Sequence, residues 1–253
     1  MADKFNILDH MTESFFLDIA RGEIPGMSAA SILGANPDID TMNEETVWDQ
    51  GGIYTYLTAD TELFISSSSV SDTNVTISIK GMTDDFVIKD AIVVFTSGQT
   101  QQSIGSYFRI FSCTVVGGSN PIGDIYTAES GTLTAGVPDT VSKIKAKIRI
   151  GEGMSKNTLF TIPVNNTAFF ARVIVHTRKN QDANVTIEIR PNGAPGFINL
   201  TDVPSFQNSF ELILEPPFPV TEKTDLEFRA TTETNNSVMT VNAGYILVDN
   251  TII

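Results

Sequence analysis

Two stretches decide the fold: NVTISIK at residues 74–80 and NVTIEIR at residues 184–190. In the first, Val75, Ile77 and Ile79 alternate with Thr76, Ser78 and Lys80. An apolar residue at every second position puts one face of an extended chain in a core and the other in water. Each stretch therefore predicts a half-buried strand. The two copies share Asn, Val, Thr, Ile and Ile at one constant offset, from 74 to 184. The same offset pairs Ile65 with Val175, Asp72 with Asp182 and Ile88 with Ile198. Two copies of one β unit explain the match; chance recurrence of Val, Thr and Ile in a β protein is the alternative.

Further strands read outward from these. FVIKDAIVVF (86–95) and SYFRIFSCTVV (106–116) flank a polar loop, and TLFTIP (158–163), TAFFARVIVHT (167–177), TDLEFRATT (224–232) and SVMTVNAGYILVD (237–249) follow. Pro191-Asn192-Gly193, Pro195-Gly196 and Pro216-Pro217 mark loops. Short strands separated by frequent turn signals predict an all-β chain of two antiparallel β-sandwich domains, jelly-roll or immunoglobulin-like. The expected domains are 50–150 and 151–253, meeting near Gly151–Ser155. Val75, Ile77, Ile79, Val185, Ile187, Ile189, Ile246 and Val248 are the expected core.

Residues 1–49 differ. They hold ten acids against Lys4 and Arg21, and so carry −8 of the chain's −14. Phe5, Leu8, Phe15, Phe16 and Ile19 fall near helical spacing, which predicts a short helix over 11–21 stopped at Gly22. Beyond it Pro25-Gly26, Gly34 and Asn36-Pro37 break any regular element. The stretch reads as an acidic arm laid on something else, with a partly disordered tail as the alternative.

Lys143, Lys145, Lys147 and Arg149 alternate with Ile144, Ala146, Ile148 and Ile150. A strand here carries four positive charges on one face. Such a row either wants anions opposite it or guards a sheet edge against pairing. Joining the two features, the arm is expected to dock on the basic row through Phe5, Phe15, Phe16, Ile19, Arg21 and Trp48.

Composition excludes much. The chain has 253 residues, with Lys+Arg 16 against Asp+Glu 30. Direct nucleic-acid binding needs a concentrated basic surface, and an acidic membrane would repel this charge. No apolar run is long enough to span a membrane, and the polar start MADKFNILDH predicts no secretory signal. Cys113 alone builds no disulfide, and His10 and His176 leave little for metal or triad chemistry. Asp38 with Asp40, and Asp84 with Asp85, lack the calcium-loop pattern. No phosphate-binding glycine loop is present. The expectation is no enzyme and no cofactor. A receptor- or glycan-binding β module stays open, with Tyr54, Tyr56 and Tyr107 as stacking residues.

Several motifs carry a resemblance over nearly the whole chain: FFLDIARGEIPGMSAASILGANPDID (15–40), ETVWDQGGIYTYL (45–57), SSSSVSDT (66–73), KGMTDDF (80–86), FPVTEKTDLEFRATT (218–232) and AGYILVDN (243–250). In these the chain resembles a family of virion structural proteins of tailed bacteriophages, especially marine and cyanobacterial phages. The resemblance implies a particle component assembled in the host cytoplasm, foremost a capsid decoration or cement protein. A neck, tail or fibre-base protein is the alternative. It implies the major capsid protein or other virion proteins as partners, and the arm, which must bury its apolar residues elsewhere, predicts a homo-oligomer such as a trimer.

Overall fold

Val75, Ile77 and Ile79 are fully buried while Thr76 and Ser78 are half-buried and Lys80 is exposed, so the alternation in NVTISIK becomes a strand. The computed structural model describes residues 14–41, 43–178, 182–206 and 208–252. Among them one α-helix, α1 (Ser14–Ala20), precedes a chain of strands. These are β1 (Met27–Ile39), β2 (Glu45–Thr46), β3 (Thr61–Ser67), β4 (Val75–Met82), β5 (Ile88–Phe95), β6 (Gln102–Tyr107), β7 (Arg109–Gly118) and β8 (Ile125–Glu129). The small hairpin of β9 (Leu133–Thr134) and β10 (Val137–Pro138) leads to β11 (Ile144–Ile148). Then follow β12 (Phe160–Thr161), β13 (Asn166–Thr177), β14 (Ala183–Arg190), β15 (Ile198–Phe206), β16 (Ser209–Val220), β17 (Asp225–Thr232) and β18 (Ser237–Asp249).

The protein is all-β, built from several antiparallel sheets. Strand orders are β11-β8-β3-β6 and β5-β4-β7 in one half, β1-β18-β13-β16 and β12-β17-β14-β15 in the other, with β2 also on β17. The halves repeat one pairing scheme. β3 lies between β6 and β8 as β13 lies between β16 and β18. β4 lies between β5 and β7 as β14 lies between β15 and β17. Val75 and Val185, both fully buried, therefore hold equivalent places.

Each half has its own apolar cluster. Leu63, Ile65, Ile77, Phe95, Cys113 and Ile125 belong to one. Val173, Val175, Val185, Ile187, Phe228 and Val241 belong to the other, which also takes Met82 and Phe111 from the first half. Ile77→Ala and Ile187→Ala should each cost about 2–5 kcal/mol, because a cavity replaces a side chain closed in on all sides. Urea melts measure this; a loss below about 1 kcal/mol in both would mean that these faces are not packed as described.

Two expectations need correction. Ile246 is only half-buried, and Ile189 packs at the margin of the second cluster. In β18 the inward residues are Met239, Val241, Ala243 and Tyr245, and Val248 returns inward past half-buried Ile246 and Leu247. Second, residues 23–49 were expected to hold no regular element and to stand apart as an arm. Instead β1 pairs with β18 from Met27↔Val248 to Ile39↔Ser237, and β2 pairs with β17. Gly34 suits this strand because there is no room for a side chain: a Cβ would sit 2.1 Å from Thr158 Cγ2 and 2.7 Å from the Val47 carbonyl oxygen. Pro37 lies in the register break between Asn36 and Ile39 of an edge strand, where a missing N–H breaks no ladder. The helix is present over Ser14–Ala20, and residues 11–13 of the expected span lie outside the described residues. It closes at Gly22, whose φ of +74° suits glycine, with the Gly22 N–H donating to the Ile19 carbonyl.

Candidate functional site at the junction of the two halves

The segment TDLEFRATT becomes β17, and its alternation decides the junction. Leu226, Phe228 and Ala230 face the second core. Asp225, Glu227 and Arg229 face the other way, yet Asp225 and Glu227 are buried as well. The first half covers them. Arg109, at the start of β7, donates through Nε to Asp225 Oδ1 and through Nη2 to Asp225 Oδ2, both at 3.0 Å. Its Nη1 donates to the carbonyls of Leu57 and Phe108 at 2.7 and 2.8 Å. Asp225 also accepts the Thr161 hydroxyl at 2.5 Å and Arg190 Nη2 at 2.6 Å. Burial pushes the Asp225 carboxyl up, but the hydrogen bonds and charge of Arg109, with Thr161 and Arg190, hold it below its ordinary value.

A second charge group adjoins it. Tyr56 donates its hydroxyl to Glu227 at 2.8 Å. Arg229 pairs with Glu227, with Glu188 at 3.0 Å and with Glu44 at 3.7 Å. Burial outweighs those partners at Glu227 and raises its carboxyl. The Arg190 guanidinium lies over Tyr56 at 4.4 Å and over Phe197 at 4.6 Å. Every carboxylate and guanidinium here has a protein partner, and together they form a clasp between the halves. Sequence reading missed it. Its signal was a strand whose polar face carries acid, acid and base at every second position.

The basic row behaves differently from expectation. A register shift between Ile144 and Ala146 breaks the strict alternation. Lys145 is buried completely, pairs with Glu129 at 2.9 Å and donates to the carbonyls of Thr55 and Ser142. Lys147 pairs with Asp124 at 3.2 Å, and Lys143 donates to the Ser130 carbonyl. The anions that the row wanted are thus on or beside its neighbour β8, not on the arm. β11 is nonetheless an edge strand, as the guard reading proposed. Arg149 stands outside this matching and has no acidic ion-pair partner among the described residues.

The arm residues scatter. Phe5 lies outside the described residues, as do Leu8 and His10. Ile19 is buried, Phe15 half-buried and Phe16 exposed by 56%. Arg21 is exposed. Trp48 is buried at the junction, where its Nε1 donates to the Gly52 carbonyl and its ring meets Tyr54 at 5.0 Å. Tyr54 and Tyr107 are buried too, which removes two of the three rings considered for sugar stacking. No group of three or more His, Cys, Asp or Glu among the described residues is placed to hold a metal ion. No helix there is long and apolar enough to cross a membrane.

Asp49, from the expected arm, meets the segment after β11 rather than the basic row. Its Oδ2 accepts the Lys156 amide at 2.6 Å, while Oδ1 has no partner among the described residues. Burial pushes the carboxyl up to about 7, against the Lys156 hydrogen bond and the charges of Lys156 and Arg149. The unfolded reference is 3.8, the lower of the two values. The native state therefore holds the extra proton between about pH 4 and pH 7. Stability should fall as pH rises through that window, by at most ~1.4 kcal/mol per pH unit. Asp49→Asn keeps an oxygen for the Lys156 amide and should flatten that slope, leaving the variant the more stable at pH 8. Urea midpoints of both proteins at pH 5 and pH 8 decide it; parallel behaviour would mean that the carboxyl is not held protonated.

No family model matches the chain, and no curated protein matches it. Among solved structures, one similar chain is in the crystal structure of the infectious bursal disease virus VP2 subviral particle. Identity is 10%, coverage 93% of this chain and 77% of that chain, and the TM-score 0.25. The structure of the Gt strain of that virus gives 8% identity, 93% and 78% coverage and a TM-score of 0.24. A Bacillus thuringiensis Cry1Da tryptic core variant gives 8%, 78% and 52%, with a TM-score of 0.19. TM-scores this low do not establish a common fold.

Proposed function

We propose that the chain is a structural component of a tailed-phage virion, a protein that decorates and cements the outside of the capsid shell. Strand order carries this reading. A long antiparallel hairpin of eight strands pairs 1–8, 2–7, 3–6 and 4–5, and rolling it up gives the jelly roll used by viral capsid domains. Take β1, β2 and β13–β18 as the eight. β1 pairs β18, β2 pairs β17, β13 pairs β16 and β14 pairs β15. Rolling brings strand 8 beside strand 3 and strand 7 beside strand 4, as β18 lies by β13 and β17 by β14. β3–β8 repeat strands 3–8 of that scheme, and β11 takes the place of strand 1 beside β8. This order supports two jelly-roll sandwiches, the first inserted between the second and third strands of the second.

A fold alone does not name a function. The tailed-phage assignment leans on the sequence motifs 15–40, 45–57, 218–232 and 243–250. The role is structural rather than catalytic, since the junction's charged groups are spent on each other. A subunit of this kind works in many copies, as a homo-oligomer, a trimer in the simplest case, seated on the major capsid protein. The outer face of β5-β4-β7 offers apolar surface for such contacts: Ile92 is 71% exposed, Val94 51% and Val116 54%.

The test is biochemical. Particles banded on a density gradient are analysed by mass spectrometry for this chain, and its density is sought by cryo-electron microscopy. A copy number comparable to that of the shell protein, and loss of heat resistance in particles lacking the chain, are the expected results. A handful of copies per particle would assign it instead to the neck, tail or fibre base. Absence from banded particles would remove the virion reading altogether.

A further inference from the structure

Some cations of this chain are matched by an acid, and others, such as Arg21, Lys80 and Lys89, have no acidic ion-pair partner among the described residues. Arg109, Lys145, Lys147, Arg190 and Arg229 each face a carboxylate at the places described above. One group of the unmatched cations gathers around a single concavity. Where the segment after β11 crosses the outer side of β1 and β18, a cavity of about 510 Å³ opens. Arg149 and Lys156 line it from that segment, and His176, Thr177 and Arg178 line it from the end of β13. Glu152 is its single acid among the lining residues, and Lys156 already holds that carboxylate at 2.5 Å. Arg149, His176 and Arg178 have no acidic ion-pair partner among the described residues.

Unpaired arginines normally disperse into solvent on an acidic protein, where carboxylates are plentiful. Here acids outnumber bases by 30 to 16, yet cations from two separate elements converge on one concavity whose lining holds a single acid. The guanidinium fork fits an oxyanion by paired N–H donors. The volume lies within the range of small-molecule sites. We infer that this cavity is a binding site for a multiply charged oxyanion, held between Arg149 and Arg178 with Lys156 and His176 around it. The site uses none of the clasp residues, and it does not depend on the role proposed for the whole particle.

Phosphoryl and carboxylate groups share this chemistry, so the test uses one probe of each. The full chain is titrated with inorganic phosphate and with succinate in low-salt buffer, followed by calorimetry and by the rise in melting temperature. Saturable binding of at least one probe is expected, weakened at least tenfold in R149Q/R178Q and less in R149K/R178K, which keep the charge but lose the fork. Arg172→Gln serves as control, because Arg172 already pairs with Glu211 on an exposed strand; it should bind like the parent. Preference for phosphate identifies a phosphoryl ligand, and preference for succinate a carboxylate one. If neither probe binds in the millimolar range, or if folded R149Q/R178Q binds as tightly as the parent, the site does not exist.

Discussion

Asp225→Ala should destabilise the protein by about 3–5 kcal/mol, because it strands a buried guanidinium. Arg109 is 6% exposed and gives two of its hydrogen bonds to that one carboxylate. Water cannot reach it to replace them. Arg190 and the Thr161 hydroxyl lose the same acceptor. The pair itself need not be strongly stabilising, since each ion lost its hydration on burial. A double variant Arg109→Met with Asp225→Leu should therefore recover most of the loss. Urea denaturation of the parent, the single and the double variants gives the comparison. If Asp225→Ala loses less than about 1 kcal/mol, the clasp is solvated and the two halves are not joined as described. Asp225 is also held below its ordinary carboxylate value, so its contribution is present above the unfolded value of 3.8 and is lost as acid protonates it.

The second large effect concerns β1. Deleting residues 1–40 should abolish cooperative folding of the second half while leaving the first half folded. β1 pairs with β18 at eleven positions and contributes Ile32 and Ile39 to the second core. Without it β18 becomes a bare edge, and the apolar face behind it opens to water. Hydrogen exchange read by mass spectrometry should show protection lost across β13–β18 and kept across β3–β8. A synthetic peptide of residues 27–39 should restore it by adding back the missing strand. A single melting transition within a few degrees of the parent would show that β1 is dispensable.

How far these features were legible depends on which forces act locally. NVTISIK and NVTIEIR announced their strands because alternation with a buried face is a property of the segment alone. The common offset announced the repeat because both copies keep the same pairing scheme. β1 was hidden. Gly34 and Pro37 weaken a strand in isolation, and only the close approach of Thr158 and the edge position make them fit. Ile246 and Tyr245 are both apolar neighbours, so composition could not say which faces inward. Lys145 read as one of a row of cations in want of anions, and Glu129, on the neighbouring strand β8, could not be assigned to it from spacing. The junction was least legible. Arg109 and Asp225 are joined across more than a hundred positions, and nothing in either neighbourhood names the other.

The insertion of β3–β11 between β2 and β12 also fixes the order in which a nascent chain can fold. As the chain leaves the ribosome, every strand of the first half is available once Ile148 has emerged. β1 has been made long before, but its partner is β18, and Asn36 must wait for Met239. During synthesis the first half can close around its own residues while β1, with Ile32 and Ile39, has no mate. Closing so long a loop is slow, and an unpaired edge exposed meanwhile can find the β18 of another copy instead of its own. The strand that completes this fold is thus also the one through which neighbouring chains could become entangled during synthesis at high concentration.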